Sequence, residues 1–344
     1  MKKLVIIALG PALAAGLLWG PRAARPADGE KDAFSYNRLL GRGVNMGNAL
    51  EAPREGAWGF TLKAEYFGLV KHAGFDAVRI PIRWSAHAAE QPPFTIDPAF
   101  FKRVDWAVDQ ALSRGLVAVI NVHHYEEMFV DPARHLPRLA ALWKQIARHY
   151  RKQPDRLFFE LLNEPHGALT SERWQKMVPR LLAAVRESNP RRIVIVGPGQ
   201  WNNPHELDKL SLPRGDQRLI VTFHYYSPME FTHQGADWVP GSQKWKGTTW
   251  KDTPRERDAL RKDIGRAAAW GKKHHRPLFL GEFGSYSGAD MDSRARWTRA
   301  VAQEAEKHGM SWSYWEFGSG FGVYDPRARA WHEPLLEALV GKGR

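Results

Sequence analysis

Eight short apolar runs, each followed by a longer segment of helical period, recur along this chain and leave it few architectures to adopt. The runs are Gly43–Gly47, Ala77–Ile82, Val117–His123, Leu157–Asn163, Ile193–Val196, Leu219–Tyr225, Leu278–Glu282 and Trp312–Glu316. The segments between them predict helices near Leu62–Ala73, Phe100–Ser113, Leu136–Tyr150, Ser171–Ser188, Pro254–His274, Asp292–His308 and Glu333–Val340, with a weak, short one near Pro204–Leu210. The runs are almost continuously apolar, as parallel strands buried on both faces are. Eight parallel strand–helix units close on themselves, so the expected fold is α/β, a single (β/α)8 TIM barrel. No repeated motif or second composition divides residues 28–344, a length such barrels commonly reach as one domain.

The first 27 residues are different. Met1-Lys-Lys precedes the apolar stretch Leu4–Trp19, the order found in secretory signal peptides. That stretch is short for a membrane span and is interrupted by Pro11. Arg22 and Arg25 spoil the small-x-small cleavage pattern, and Ala12-Leu13-Ala14 fits it only early, so two readings stand: a cleaved signal peptide or a retained N-terminal anchor. A secreted or periplasmic location is expected, the chain released or held by its leader. The chain has no cysteine, so neither disulfides nor thiolate metal sites are available. Its formal charge is +13, yet Lys and Arg are scattered through helical segments with no basic block and no nucleic-acid motif. A basic solvated surface accounts for this, and no nucleic-acid partner is expected.

Barrels of this kind carry their chemistry at the C-terminal ends of the strands. Here those ends hold Asn48 and Glu51, Arg79, His123 and His124, Asn163 and Glu164, Trp201, His224 and Tyr226, Glu282, and Trp315 and Glu316. A chain that needed only a stable barrel has no reason to place a charged or aromatic group at nearly every strand exit. Glu164 follows the buried run Leu157–Asn163, where poor solvation disfavours its charged form and raises its pKa. Glu282 ends the seventh run, in a different part of the ring. Two carboxyl groups converging on one bond, one protonated and one ionised, are what glycoside hydrolysis requires. Arg79 and Tyr226 can stabilise an ionised Glu282, leaving Glu164 as the proton donor.

His123-His124-Tyr125-Glu126-Glu127 lacks the H-E-x-x-H spacing of a zinc site, and adjacent strand residues point to opposite faces. Hydrogen bonding, not metal ligation, is the expected role, and no metal or cofactor is expected. Of 15 Trp, Trp106, Trp143, Trp174, Trp270 and Trp297 fall in helical segments and are expected to pack there. Trp201, Trp238, Trp245, Trp250 and Trp315 fall in or beside the loops of the barrel mouth, where aromatic faces can lie against sugar rings. The loop Ser227–Thr253 is too long for a plain connection and is expected to wall a cleft.

Arg79-Ile-Pro, Leu162-Asn-Glu-Pro165, His224-Tyr-Tyr226, Gly281-Glu-Phe-Gly284, Gly47-Asn-Ala-Leu-Glu51, Asn121-Val-His-His-Tyr-Glu126 and Trp315-Glu-Phe-Gly-Ser-Gly-Phe-Gly322 together resemble glycoside hydrolase family 5, a retaining family of clan A. The resemblance runs from about Phe34 to Lys342 and is strongest to bacterial broad-specificity endoglucanases, some of which also cut β-mannan. It implies Glu164 as acid/base and Glu282 as nucleophile, with Asn163 on the sugar 2-hydroxyl. It further implies that Arg79, His123, His224 and Tyr226 support the carboxylates and substrate, and that Trp315 is a sugar platform. Asn48, Glu51, His124, His233, Trp238 and Glu316 match sugar-contacting positions, and Trp201 is matched more loosely. The expected activity is endo-β-1,4-glucanase on a β-1,4-linked polysaccharide or oligosaccharide, by double displacement, from a monomer without a stable protein partner. A β-1,4-mannanase or glucomannanase is the alternative, and a non-catalytic carbohydrate-binding barrel the remote one.

Overall fold

A computed structural model describes residues 32–341, so the leader lies outside the described residues. The eight predicted runs all form strands: β1 (Arg42–Asn45), β2 (Ala77–Ile80), β3 (Val117–Asn121), β4 (Leu157–Glu160), β5 (Val194–Val196), β6 (Leu219–His224), β7 (Leu278–Phe283) and β8 (Ser311–Tyr314). They pair in parallel in chain order, and β1 pairs with β8 to close the barrel. Helices Ala64–His72, Pro98–Leu112, Pro132–His149, Ser171–Arg186, Pro254–His274, Met291–Lys307 and Glu333–Val340 sheathe it. Several start alike: Asp97, Asp131 and Thr253 cap the helix with a side-chain oxygen, and the next residue is a proline, whose missing N–H costs nothing in the first turn.

Strand alternation divides the interior in two. Val78, Ile80, Ala118, Ile120 and Phe159 point outward into the core between strands and helices. Ala77, Val117, Val119, Phe158, Ile193, Ile195, Ile220 and Phe279 point inward and fill the lower lumen. A helix not anticipated from the sequence, α1 (Ala33–Leu40), plugs this lower end with Ala33, Tyr36 and Leu40. It is fastened by Asn37, whose amide donates to the Leu278 carbonyl at 3.0 Å and accepts from Ser311 Oγ at 2.8 Å. Each large side chain fully buried this way contributes roughly 1.5–3 kcal/mol. Above the apolar plug the inward positions turn polar, with Asn45, Arg79, Asn121, Glu160 and Thr222 all buried.

Two departures from the expected layout shape the mouth. β3 stops at Asn121, so His123 and His124 lie beyond the strand and do not alternate across it; their rings meet edge to face at 4.8 Å. Trp250 is 2 % exposed and belongs to the core, not to a cleft wall as its loop position suggested. The connection after β5 also differs from its neighbours, consisting of a turn at Gly199–Asn202 and a 3-10 helix at Pro204–Lys209. Among the described residues no helix is long and apolar enough to cross a membrane.

Candidate active site

The site begins with a buried cation. Arg79, on β2, is wholly inaccessible, and a guanidinium there must be compensated by anions and hydrogen-bonded at every N–H. All five donors are used. Nε and Nη2 form a bidentate pair with Glu160 at 2.6 and 2.9 Å; Nη1 donates to Asn45 Oδ1 at 2.8 Å and Glu282 Oε1 at 2.7 Å; Nη2 also donates to Asn163 Oδ1 at 2.7 Å. Burial works against the charge, and Glu160 and Glu282 more than restore it, so Arg79 stays protonated.

Glu282 reaches this network through a bulge. Phe223 of β6 pairs with Leu280 and His224 pairs with Glu282, so β7 carries one extra residue and the local alternation breaks. Gly281 and Glu282 therefore both face the lumen. Position 281 has room only for hydrogen, since a Cβ would lie 2.5 Å from Thr222 Oγ1 and 3.1 Å from His224 Nε2. Glu282 Oε2 accepts from the Tyr226 hydroxyl at 2.9 Å, so both oxygens have donors. Burial raises its pKa, and His224, Arg79 and the Tyr226 hydrogen bond oppose that rise. The Tyr226 hydroxyl itself is pushed well up, by burial first and then by the charges of Glu282 and Glu164, and so remains a donor.

Glu164 lies just past β4, with a left-handed backbone (φ 47°) that turns its side chain across the mouth. No direct hydrogen bond joins it to Arg79; its partner is His224, whose Nδ1 stands 2.7 Å from Oε1. Burial lifts Glu164 to about 7, with Arg79, His166 and His124 resisting. The side chain keeps 23 % of its surface open to the cleft, which holds that rise in check. His224 is lowered to about 4 by burial and is neutral at physiological pH. Oxygens of Glu164 and Glu282 and a nitrogen of His224 all fall within 4.8 Å of one another. The two carboxyls thus come from remote parts of the chain, face each other and occupy unequal surroundings. These three side chains are also the described group best able to offer ligands to a metal ion. Both Glu282 oxygens are already engaged, however, and the fixed charge of Arg79 stands beside them.

The other predicted residues gather around this pair. His123 is buried and neutral, lowered by burial, and its Nδ1 lies 3.1 Å from the Asn121 amide. Trp315, half-buried, lies parallel to the His123 ring at 5.7 Å. Asn48 bridges two buried acids, its backbone N–H donating to Glu51 and its side-chain amide to Glu316. Burial lifts Glu51 to about 7 and Glu316 to about 8. Tyr226, His233, Phe321, Trp238 and Tyr286 form a continuous aromatic wall, with Trp238 57 % exposed at its rim. Burial lowers His233 to about 4. His124 meets the exposed Trp58 edge-on at 5.6 Å. Trp201, 53 % exposed, stacks on His166 at 4.8 Å, and His166 in turn lies against Phe129.

Sequence reasoning singled out neither Glu160, Asn45, His166, Asn202, Trp58 nor Phe321. Only Glu160 carried a signal: an acid inside Leu157-Phe-Phe-Glu-Leu-Leu must find a buried cation or lose its charge. The turn at Gln200–Asn202 gave none, although its backbone is left-handed at three successive residues. Gln200, Trp201 and Asn202 have φ of 52°, 59° and 54° in succession, and each non-glycine residue in that region costs about 1–2 kcal/mol.

An eight-stranded parallel barrel with paired carboxyls across its mouth defines a class of glycoside hydrolases, and comparison with known proteins identifies the family. The family model for Cellulase (glycosyl hydrolase family 5) matches residues 41–320, and the chain belongs to that family. Endoglucanase H of Acetivibrio thermocellus is 38 % identical over 318 residues, which are 91 % of this chain and 34 % of that protein. Cellulase/esterase CelE of the same organism is 28 % identical over 87 % of this chain and 39 % of its own length. The chain thus spans about a third of these curated relatives. Crystal structures of Thermotoga maritima Cel5A with mannotriose and with cellobiose are 50 % and 51 % identical to it, each covering 90 % of this chain and 100 % of its own, with a TM-score of 0.89.

Proposed function

We propose that the chain is a retaining endo-β-1,4-glucanase that cuts internal bonds of β-glucans through a glycosyl-enzyme intermediate, exported by its leader. One observation carries this reading: Glu164 and Glu282 approach within 4.8 Å, near the roughly 5–5.5 Å of retaining enzymes and well short of the roughly 6.5–9.5 Å that inversion needs. Glu282, fixed by Arg79 and Tyr226, attacks the anomeric carbon while retaining a free lone pair for the new bond. Glu164 gives its proton to the departing oxygen. In the second step Glu164 takes a proton from water, which displaces Glu282 from the sugar. Asn163, its carbonyl oxygen held by Arg79, has its amide N–H groups available for the sugar 2-hydroxyl. Trp315 offers a ring face on the nucleophile's side. The Trp201–His166 stack adjoins Glu164, and so the departing half of the chain.

Because Glu164 must be protonated to act first, and its pKa is raised, kcat/KM on a cello-oligosaccharide falls as pH rises through about 7. Glu164→Ala removes that limb and lowers the rate on the oligosaccharide by about 100-fold or more, yet spares the first step on an aryl glycoside with a good leaving group. Rate measurements on both substrates across pH check this; equal losses on the two would remove Glu164 from the donor role.

A mannan-cleaving activity is the second reading, favoured by the mannotriose complex of the half-identical Cel5A. Glucose and mannose differ only at the 2-hydroxyl, which Asn163 is placed to address. Product analysis on matched cello- and manno-oligosaccharides decides between them. We expect internal cleavage of the cello series, and cleavage of the manno series alone would overturn the glucanase assignment.

A further inference from the structure

Asn202 takes no part in the chemistry described above, yet it is completely buried and lies directly behind His224. Its side-chain Nδ2 is 3.2 Å from His224 Nε2, and no other described hydrogen bond reaches that nitrogen. A neutral imidazole carries one N–H, and the partner of one nitrogen decides which nitrogen holds the proton. His224 is therefore a relay between Asn202 on one side and Glu164 on the other, with Glu282 Oε2 a further 3.5 Å from Nδ1.

The surrounding chain is built to bring this amide here. Asn202 is the last of the three left-handed residues, and Asn is among the residues that best tolerate that conformation. Gly197 leaves space for it: a Cβ at 197 would stand 2.2 Å from Asn202 Oδ1. The Gly197 carbonyl is pinned by Trp174 Nε1 at 2.8 Å, and the Trp201 N–H is pinned to the Pro165 carbonyl at 3.2 Å, next to Glu164. The turn directs Asn202 inward to His224 and Trp201 outward onto His166, whose Nδ1 meets the Glu164 carbonyl at 2.6 Å. One strained segment thus touches the proposed acid/base group by two routes.

We propose that Asn202 is a positioning residue that selects the Nδ1–H tautomer of His224. Its amide N–H donates to Nε2 and keeps that nitrogen bare. The single imidazole proton then sits on Nδ1 and is donated to Glu164 Oε1, so the proton Glu164 delivers to the leaving oxygen resides on Oε2. No bond other than hydrogen bonds changes in this arrangement. The inference rests on Glu164 being the acid/base group.

The direct test is the 15N chemical shift of the His224 ring in the free enzyme at neutral pH. We expect Nε2 in the range of an unprotonated nitrogen and Nδ1 in that of a protonated one; a protonated Nε2 overturns the proposal. Two variants give a functional reading. Asn202→Asp keeps the shape but turns the donor into an acceptor, which draws a second proton onto the imidazole. The cation so formed beside Glu164 lowers that carboxyl, and the basic limb of kcat/KM moves down by about 1–3 pH units. Asn202→Gly keeps the left-handed backbone at no steric cost and deletes the amide. It should lower kcat on a cello-oligosaccharide on the order of 10- to 100-fold, a fraction of what general acid catalysis supplies, with KM nearly unchanged and little loss on an activated aryl glycoside. An unmoved basic limb in the first variant, or equal losses on both substrates in the second, would reduce Asn202 to a packing role. Glu164→Ala that keeps full rate on the oligosaccharide defeats the acid/base reading instead, and leaves the tautomer measurement standing as a separate result.

Discussion

Glu282→Gln gives a folded protein that still binds cello-oligosaccharides and turns them over about 10⁴-fold or more slowly, the scale seen when a nucleophile is removed from a cooperating group. The substitution keeps the size of the side chain and one carbonyl oxygen, which accepts from Arg79 Nη1, while the Tyr226 hydroxyl can turn to accept from the new amide, so the site's shape persists. What disappears is the negative charge that attacks the anomeric carbon. Folding survives because Arg79 keeps its bidentate partner Glu160, which balances the buried cation one for one. Chain-end release assays give the rate, calorimetry with a cello-oligosaccharide gives the binding, and thermal unfolding gives the stability. Cleavage at full rate by a verified Glu282→Gln preparation eliminates Glu282 as nucleophile. A large loss of stability with the catalytic loss would show that Glu282 is structural before it is chemical. The same assignment predicts that a slow, activated fluoro-glycoside leaves its sugar covalently on Glu282.

The strands were legible because each is a nearly continuous apolar run, a pattern local in sequence that suits parallel strands covered on both faces, and because eight of them alternate with helical segments. The candidate pair was legible for a related reason: a carboxyl at the exit of a buried strand is conspicuous wherever the strand later goes. What escaped reading depends on neighbours distant in the chain. Glu160 is intelligible only beside Arg79, and Asn202 only behind His224. The bulge that turns Glu282 inward is a property of the β6–β7 pairing and leaves no mark on Leu278–Phe283 other than Gly281. His123 and His124 were expected on opposite faces, and the early end of β3 placed them ring to ring. Trp250 was grouped with the cleft on loop position alone, yet the loop folds back and buries it. Period and composition locate elements, while the choice between a rim and a core position for an aromatic is made by packing.

Arg79→Met should lower the stability of the protein by about 3–5 kcal/mol, the usual cost of removing one member of a buried ionic group. Methionine is shorter, donates no hydrogen bonds and leaves Glu160 and Glu282 without a cation, with Asn45 and Asn163 deprived of their donor. Glu282 then favours its protonated form, since burial acts without the opposing charge of Arg79. Protonation of Glu282 silences the nucleophile, so the acid limb of the pH–rate profile moves upward as stability falls. A second substitution separates the two effects. Glu160→Met on top of Arg79→Met removes the charge left uncompensated and should recover about 1–3 kcal/mol, because an apolar pair often equals a buried ion pair. It cannot restore activity, because Glu282 still lacks the positive charge that holds it ionised. Denaturant unfolding and pH–rate measurements on the single and double variants decide the matter. A double variant that regains both stability and turnover would mean that Arg79 serves Glu160 alone, and that Glu282 owes its charge to Tyr226 and His224. Recovered stability without recovered turnover shows that one guanidinium binds the barrel together through Glu160 and ionises the nucleophile through Glu282.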